Sequence, residues 1–217
     1  MKKRIVLLLL VVFALVQLSA YDVQAKGVKG GLNIATTSEG FLEDIEPESK
    51  FGLIIGGFVT YKINDQFSFQ PEVYFTMKGV EWDIKKEDEY GSYLSEGSYN
   101  LNYLEIPLLG VLNIPIKASF DPRLFFGPSI GINLSATWEE DSEDTYYNGN
   151  EYITESSSID GDLDEASTIE LGLTLGGAVV INQIIIDLRY NMGLTDSGND
   201  GDYFTNRVFS MMLGYKF

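Results

Sequence analysis

Eight charged side chains stand where the hydrophobic patterning of this chain would bury them. Glu72, Glu105, Glu170 and Asp187 are carboxylates, and Lys29, Lys78, Arg123 and Arg189 are the bases available to them. Each lies in a segment that alternates large apolar residues with small or polar ones, and each falls on the small and polar parity. Charges held in a narrow, weakly polarisable interior must pair or change protonation state. The set therefore reads as a lumen charge network, a salt-bridge plug filling an interior. A gate or proton-responsive site and a hydrolase centre of paired carboxylates are the sharper alternatives. Two acidic runs suggest a second chemistry. Asp160, Asp162 and Asp164 alternate, and Asp196, Asp200 and Asp202 sit among Ser197, Gly198, Asn199 and Gly201. Both hint at calcium loops, yet the first lacks the glycine at the sixth place and neither has the glutamate at the twelfth. Weak divalent-cation binding by loops is the expectation, with no dedicated metal site and no cofactor.

The chain contains no histidine and no cysteine. Ser-His-Asp and Cys-His nucleophilic catalysis, histidine-ligated zinc, thiolate metal sites and disulfides are therefore excluded. The commonest general base near neutral pH is missing as well. A net charge of −17 argues against nucleic acid as a partner, because phosphate binding needs basic patches.

The elements that must position these residues follow from texture along the chain. Lys2, Lys3 and Arg4 precede an apolar run from Ile5 to Val16, and Val23-Gln24-Ala25 is a small-residue cleavage site. Together these read as a signal peptide over 1–25, with Leu18-Ser19-Ala20 as a weaker second cleavage site. The run is short for a membrane anchor, and no later apolar stretch reaches spanning length. Residues 26–217 then form one domain.

Eight segments after Lys26 are Gly-rich, β-branched and aromatic: 27–35, 51–62, 67–79, 100–112, 123–137, 167–181, 184–194 and 206–217. In the last, Phe209, Met211, Leu213, Tyr215 and Phe217 alternate with Ser210, Met212, Gly214 and Lys216. In the seventh, Ile184, Ile186, Leu188, Tyr190 and Met192 alternate with Ile185, Asp187, Arg189, Asn191 and Gly193. Period two means strands. The large apolar face with a small, polar, occasionally charged opposite face is the reverse of a soluble barrel. It predicts an all-β, eight-stranded antiparallel up-and-down transmembrane barrel, with Leu, Ile and Phe toward lipid. Segments two and four break the pattern by carrying apolar residues on both faces.

The connections alternate too. Those at 63–66 and 181–183 are tight turns, the one near 113–122 is modest, and those near 36–50, 80–99, 138–166 and 195–205 are long. Short periplasmic turns and long extracellular loops are the outer-membrane arrangement. The four long loops hold 25 of the 32 acidic residues and three bases, Lys50, Lys85 and Lys86. Tyr61, Phe67, Phe69, Tyr215 and Phe217 fall at the periplasmic ends, and Trp138 at an outer end on the lipid-facing parity of its strand, where amphipathic rings favour the headgroup level.

The stretches Gly27-Val28-Lys29-Gly30-Gly31-Leu32-Asn33, Gln70-Pro71-Glu72-Val73, Asn102-Tyr103-Leu104-Glu105-Ile106-Pro107-Leu108-Leu109, Gly127-Pro128-Ser129-Ile130-Gly131 and Leu188-Arg189-Tyr190-Asn191-Met192-Gly193-Leu194-Thr195-Asp196 resemble the PorT-like family of outer-membrane β-barrels. The resemblance runs along the whole mature chain and implies the barrel fold. Some of that family relate to protein secretion. The terminal strand ending in Phe217 resembles the signal by which barrel-assembly machinery recognises its clients.

The function expected is that of a non-enzymatic integral outer-membrane barrel, partnered by outer-membrane lipid, with a structural or surface-interaction role for its acidic extracellular loops. A small gated channel or transporter, or a component of a secretion system, is the alternative. A lipid-modifying enzyme is disfavoured by the missing histidine. A soluble periplasmic ligand-binding barrel is the remaining competitor.

Overall fold

The computed structural model describes residues 23–37, 47–87, 91–147, 149–163, 167–195 and 205–217. They form nine strands: β1 (Val23–Thr37), β2 (Glu48–Lys62), β3 (Phe67–Glu87), β4 (Gly91–Asn113), β5 (Asp121–Tyr147), β6 (Tyr152–Asp162), β7 (Ile169–Ile181), β8 (Ile184–Gly193) and β9 (Asn206–Lys216). Eight of them close a ring. The order runs β4-β3-β2-β1-β9-β8-β7-β5, the β4–β5 pairing seals it, and β6 hangs outside on β5. Every neighbour is antiparallel. The expected signal peptide lies outside the described residues except for Val23–Ala25, which already belong to β1.

Alternation decides which face looks where. Along β8 the residues from Ile184 to Gly193 are exposed and buried in strict turn. Leu188, Leu213 and Phe126 are 44, 65 and 55% exposed on the outer wall, while Arg189 and Glu105 are 3 and 6% exposed inside. Large apolar side chains thus face outward from a closed cylinder, which leaves no unpaired sheet edge around the wall. That is the solution hydrocarbon demands of a β structure.

One rim carries the short connections, the start of β1 and the end of β9. Asn64 Oδ1 accepts from the backbone N–H of Gln66 and Phe67 at 2.9 and 2.8 Å, which closes the first turn. At the β7–β8 turn Asn182 adopts φ 55°, a conformation asparagine tolerates better than most residues. The same rim holds Lys62 and Asp65, 2.7 Å apart. Lys62, through its hydrogen bond and then its charge, holds the Asp65 carboxyl below the ordinary carboxylate range.

The opposite rim differs from the sequence expectation. The connections near 80–99 and 138–166 are hairpin arms rather than loops. β3 runs to Glu87 and β4 starts at Gly91, while β5 extends to Tyr147 and turns back as β6. β5 has 27 residues, where a tilted membrane crossing needs about 9–11. The polar, acidic composition disguised strands that are held by hydroxyl and aromatic cross-strand pairs. Thr145 and Thr154 hydroxyls lie 2.9 Å apart, the Tyr147 and Tyr152 rings pack tilted with centroids 5.2 Å apart, and Ser95 Oγ donates to Glu140 at 2.8 Å.

A second correction concerns Trp138. The β4–β5 register shifts between Asn102↔Ser135 and Tyr103↔Asn133, so β5 carries an extra residue at Leu134. A bulge reverses the facing of everything beyond it. Trp138 therefore lies opposite Tyr99 on the inner face, not toward lipid. Tyr99 packs tilted against Trp82 with centroids 5.1 Å apart.

The interior is also more apolar than small and polar residues alone would make it. Phe58, Leu109, Val111, Phe125, Ala178, Val180 and Ile185 form a buried cluster toward the short-turn rim. Ile54, Tyr74 and Met212 form a second, Leu101, Tyr103 and Ala136 a third, and Val80 with Trp82 a fourth. Members from β2 and β4 explain why those two segments are apolar on both faces.

Candidate functional site

Two polar clusters lie inside the cylinder. The first joins β1, β3 and β8. Lys29 Nζ is 2.7 Å from both Glu72 and Asp187. Arg189 reaches Glu72 at 2.5 Å and Asp187 at 2.7 Å. The side chains of Glu72 and Asp187 are 0% exposed. Gln70 Nε2 donates to Glu72 at 2.8 Å, and Thr60 Oγ1 donates to Gln70 Oε1 at 2.7 Å. Two bases meet two acids, so the cluster is neutral. The cations also lie over aromatic faces: Lys29 over Phe58 at 4.9 Å, and Arg189 over Phe125 and Tyr74 at 5.0 and 5.2 Å. Alternation on β1 and β9 places Lys29 and Gly214 on the inner face, and the missing side chain matters, since a β-carbon at Gly214 would stand 2.8 Å from Lys29 Cγ.

The second cluster joins β3, β4, β5, β7, β8 and β9. Lys78 Nζ lies 2.9 Å from Glu105 and 3.0 Å from Glu170. Asn206 Nδ2 donates to Glu170 at 2.5 Å, and Asn191 Nδ2 donates to Glu105 and, at 3.0 and 3.1 Å, to Ser129 and Thr174. Lys78 sits over the Tyr103 ring at 5.0 Å.

Seven of the eight lumen candidates thus fall into two clusters. Arg123 joins neither: it stands at the start of β5 on the short-turn rim, two residues from Asp121, and makes no ion pair among the described residues. Asn191, Asn206, Gln70 and the aromatic rings under the cations are site residues that a search for charge alone passes over. Their inward parity was the available signal. Of the acidic runs, Asp160 and Asp162 are exposed on β6, opposite Glu139 and Thr137. Asp164, Asp196, Asp200 and Asp202 lie outside the described residues. Among the described residues no three carboxylates gather as a cation cage.

The hairpin arms make a third feature. Beyond the ring, the outer parts of β3, β4, β5 and β6 pair side by side. From Trp138 to Asp162 this sheet carries nine Asp and Glu and no Lys or Arg. A groove of about 400 Å³ at its base is lined by Glu48, Glu81, Asp83, Glu96, Glu139 and Asp141. Tyr146 donates to Glu155 at 3.2 Å, and the Glu155 charge raises the phenol above its ordinary value. A separate cleft of about 730 Å³ opens at the short-turn rim and reaches Glu72.

An eight-strand ring with a lipid-facing wall and a charge-paired lumen defines an integral β-barrel of the bacterial outer membrane. The family model described as Outer membrane protein beta-barrel domain matches residues 24–199, and the chain belongs to that family. Among solved structures, it is similar to Ail, the attachment invasion locus protein of Yersinia pestis, in complex with the heparin analogue sucrose octasulfate. That match has 12% identity and TM-score 0.41, over 89% of this chain and 98% of that one. Neisserial surface protein A matches at 13% identity and TM-score 0.37, over 88 and 97% of the two chains. OprG from Pseudomonas aeruginosa matches at 10% and 0.34, over 91 and 97%. A comparison with curated proteins finds no match.

Proposed function

We propose that this protein is a non-enzymatic surface-interaction barrel that displays its outer sheet to cationic partners. The single observation that carries the reading is the projecting four-stranded sheet with nine acids and no base from Trp138 to Asp162. Lys85 and Lys86 on the outer β3 offset only part of this charge, and a predominantly negative field steers and holds counter-charged ligands. An open sheet edge, as on β6, offers an extended chain main-chain hydrogen bonds. The lumen is filled by ion pairs and apolar side chains, which favours this reading over a constitutive pore. In the same reading residues 1–25 serve export, β9 ending at Phe217 serves recognition by the assembly machinery, and the motifs quoted above support a place in the PorT-like branch.

The test is binding of a cationic peptide such as poly-lysine to the purified barrel in lipid nanodiscs. Binding should weaken steeply between low and physiological salt and disappear when residues 140–160 are replaced by a short Gly-Ser turn. Equal binding by the shortened barrel rejects the proposal. Steady conductance of the intact barrel in planar bilayers would favour the channel reading instead.

A further inference from the structure

β6 is the last strand of the outer sheet, and among the described residues β5 is its one partner. The register holds without a shift from Thr137↔Asp162 to Tyr147↔Tyr152. Continuing it sets Ala136 opposite Leu163, and the Leu163 N–H donates to the Ala136 carbonyl at 2.9 Å. Opposite residues of an antiparallel pair bond each other at every second position. The odd-numbered residues of β6 therefore direct their backbone groups at β5. Thr154, Ser156, Ser158, Asp160 and Asp162 turn theirs outward, along an edge without proline, lysine or bulge. Those are devices that commonly keep an edge from pairing. β6 carries instead Glu155, Asp160 and Asp162 and neither Lys nor Arg. Such charges repel a second copy of the same strand and attract a cationic one.

The two faces of this sheet differ. Residues paired across strands share a face. Asp83, Glu96 and Asp141 form one row that ends at Ser158, and Glu81, Glu139 and Asp160 lie in the next. Like charges side by side destabilise a sheet. The bases near them are few: Lys50 reaches Glu81, and Lys85 shares the face through its pairing with Leu94. The opposite face presents Ile153 and Ile159 on β6, the latter 49% exposed. The β6 residues that turn their backbone outward are thus the ones on the acid face. In an added antiparallel strand, the residues opposite them would lie on that face too and bond through their own N–H and C=O groups. Ser156 and Ser158 are short and pair with Glu143 and Asp141. A long cationic side chain laid over them would reach those carboxylates on β5, one strand spacing of about 4.8 Å further on.

We propose, resting on the surface-interaction reading above, that β6 accepts an added antiparallel strand from a partner protein, a segment in which basic residues alternate with apolar ones. Its bases lie on the acid face and its apolar side chains beside Ile153 and Ile159. The test measures binding to the purified mature barrel in lipid nanodiscs. One short peptide alternates lysine with valine, and an isomer of the same composition carries its lysines in one block. The alternating peptide should bind about tenfold tighter, a difference worth about one or two main-chain hydrogen bonds. N-methylation of its lysine amides should remove that advantage. N-methylation of its valine amides, which point away from β6, should leave it. Ser158→Pro keeps every charge and removes an N–H that β5 does not use. It should bring the alternating peptide down to the affinity of its isomer. The methylated peptides decide the matter on the unmodified barrel should Ser158→Pro loosen the hairpin. Equal, salt-sensitive binding of the two isomers, or indifference to which amides are methylated, rejects strand addition and leaves the electrostatic reading standing. Absence of binding by either peptide rejects both.

Discussion

Replacing Arg189 by methionine tests the first lumen cluster directly. The guanidinium bridges Glu72 at 2.5 Å and Asp187 at 2.7 Å, and both carboxylates have 0% side-chain exposure. Methionine keeps much of the packing against Phe125 and Tyr74 but removes the charge, leaving Lys29 alone between two sealed carboxylates. Breaking a buried pair by removing one partner costs about 3–5 kcal/mol. At about 1.4 kcal/mol per decade, the folded-to-unfolded ratio falls by roughly two to three and a half orders of magnitude. The assay is urea titration of barrel in lipid vesicles, read by the mobility difference between unheated folded and heated unfolded protein on a gel. Adding Asp187→Asn to Arg189→Met restores neutrality with Lys29 and Glu72, so the double variant should regain at least half of the loss. A single-variant cost below about 1 kcal/mol, the scale of exposed ion pairs, would refute the reasoning. So would strictly additive effects in the pair.

Three further outcomes follow from the same geometry. Met211 is 54% exposed on the outer wall, and Met211→Arg should cost about 2–4 kcal/mol in vesicles if that position lies near the bilayer midplane. Phe125, 3% exposed, joins the lower apolar cluster and underlies both Lys29 and Arg189, so Phe125→Ala should cost about 3–5 kcal/mol in the same titration. Lys62→Met should move the Asp65 titration, followed by carbon-13 NMR, upward toward the ordinary carboxylate value, because Lys62 is what depresses it. A depressed carboxyl contributes stability that is present above its unfolded value and fades as pH falls through its folded one. Both groups are solvated at the rim, so the urea midpoint should hardly change.

The barrel itself was legible because lipid imposes a strict parity, and β8 and β9 spell it out residue by residue. The inward charges were legible by the same parity. Their division into two clusters was not, since it depends on how strands far apart in sequence line up in register. The hairpin arms were hidden because acids, serines and glycines look like loop residues when cross-strand partners are unseen. Trp138 was misplaced for a local reason. One extra residue at Leu134 reverses facing, and nothing in the residue types near it announces a bulge. The apolar lumen layers were half visible in the two-faced strands β2 and β4.

The partners in the first cluster come from distant parts of the chain. Lys29 lies 43 residues from Glu72 and 158 from Asp187, and Arg189 lies 117 from Glu72. During synthesis and export the early strands therefore carry a lysine and a glutamate whose neutral foursome is complete only once β8 arrives. A chain truncated before β8 would keep Lys29 and Glu72 as a balanced pair but lack the Asp187 and Arg189 pair that packs against them. Closing the ring and completing the buried foursome are therefore one event.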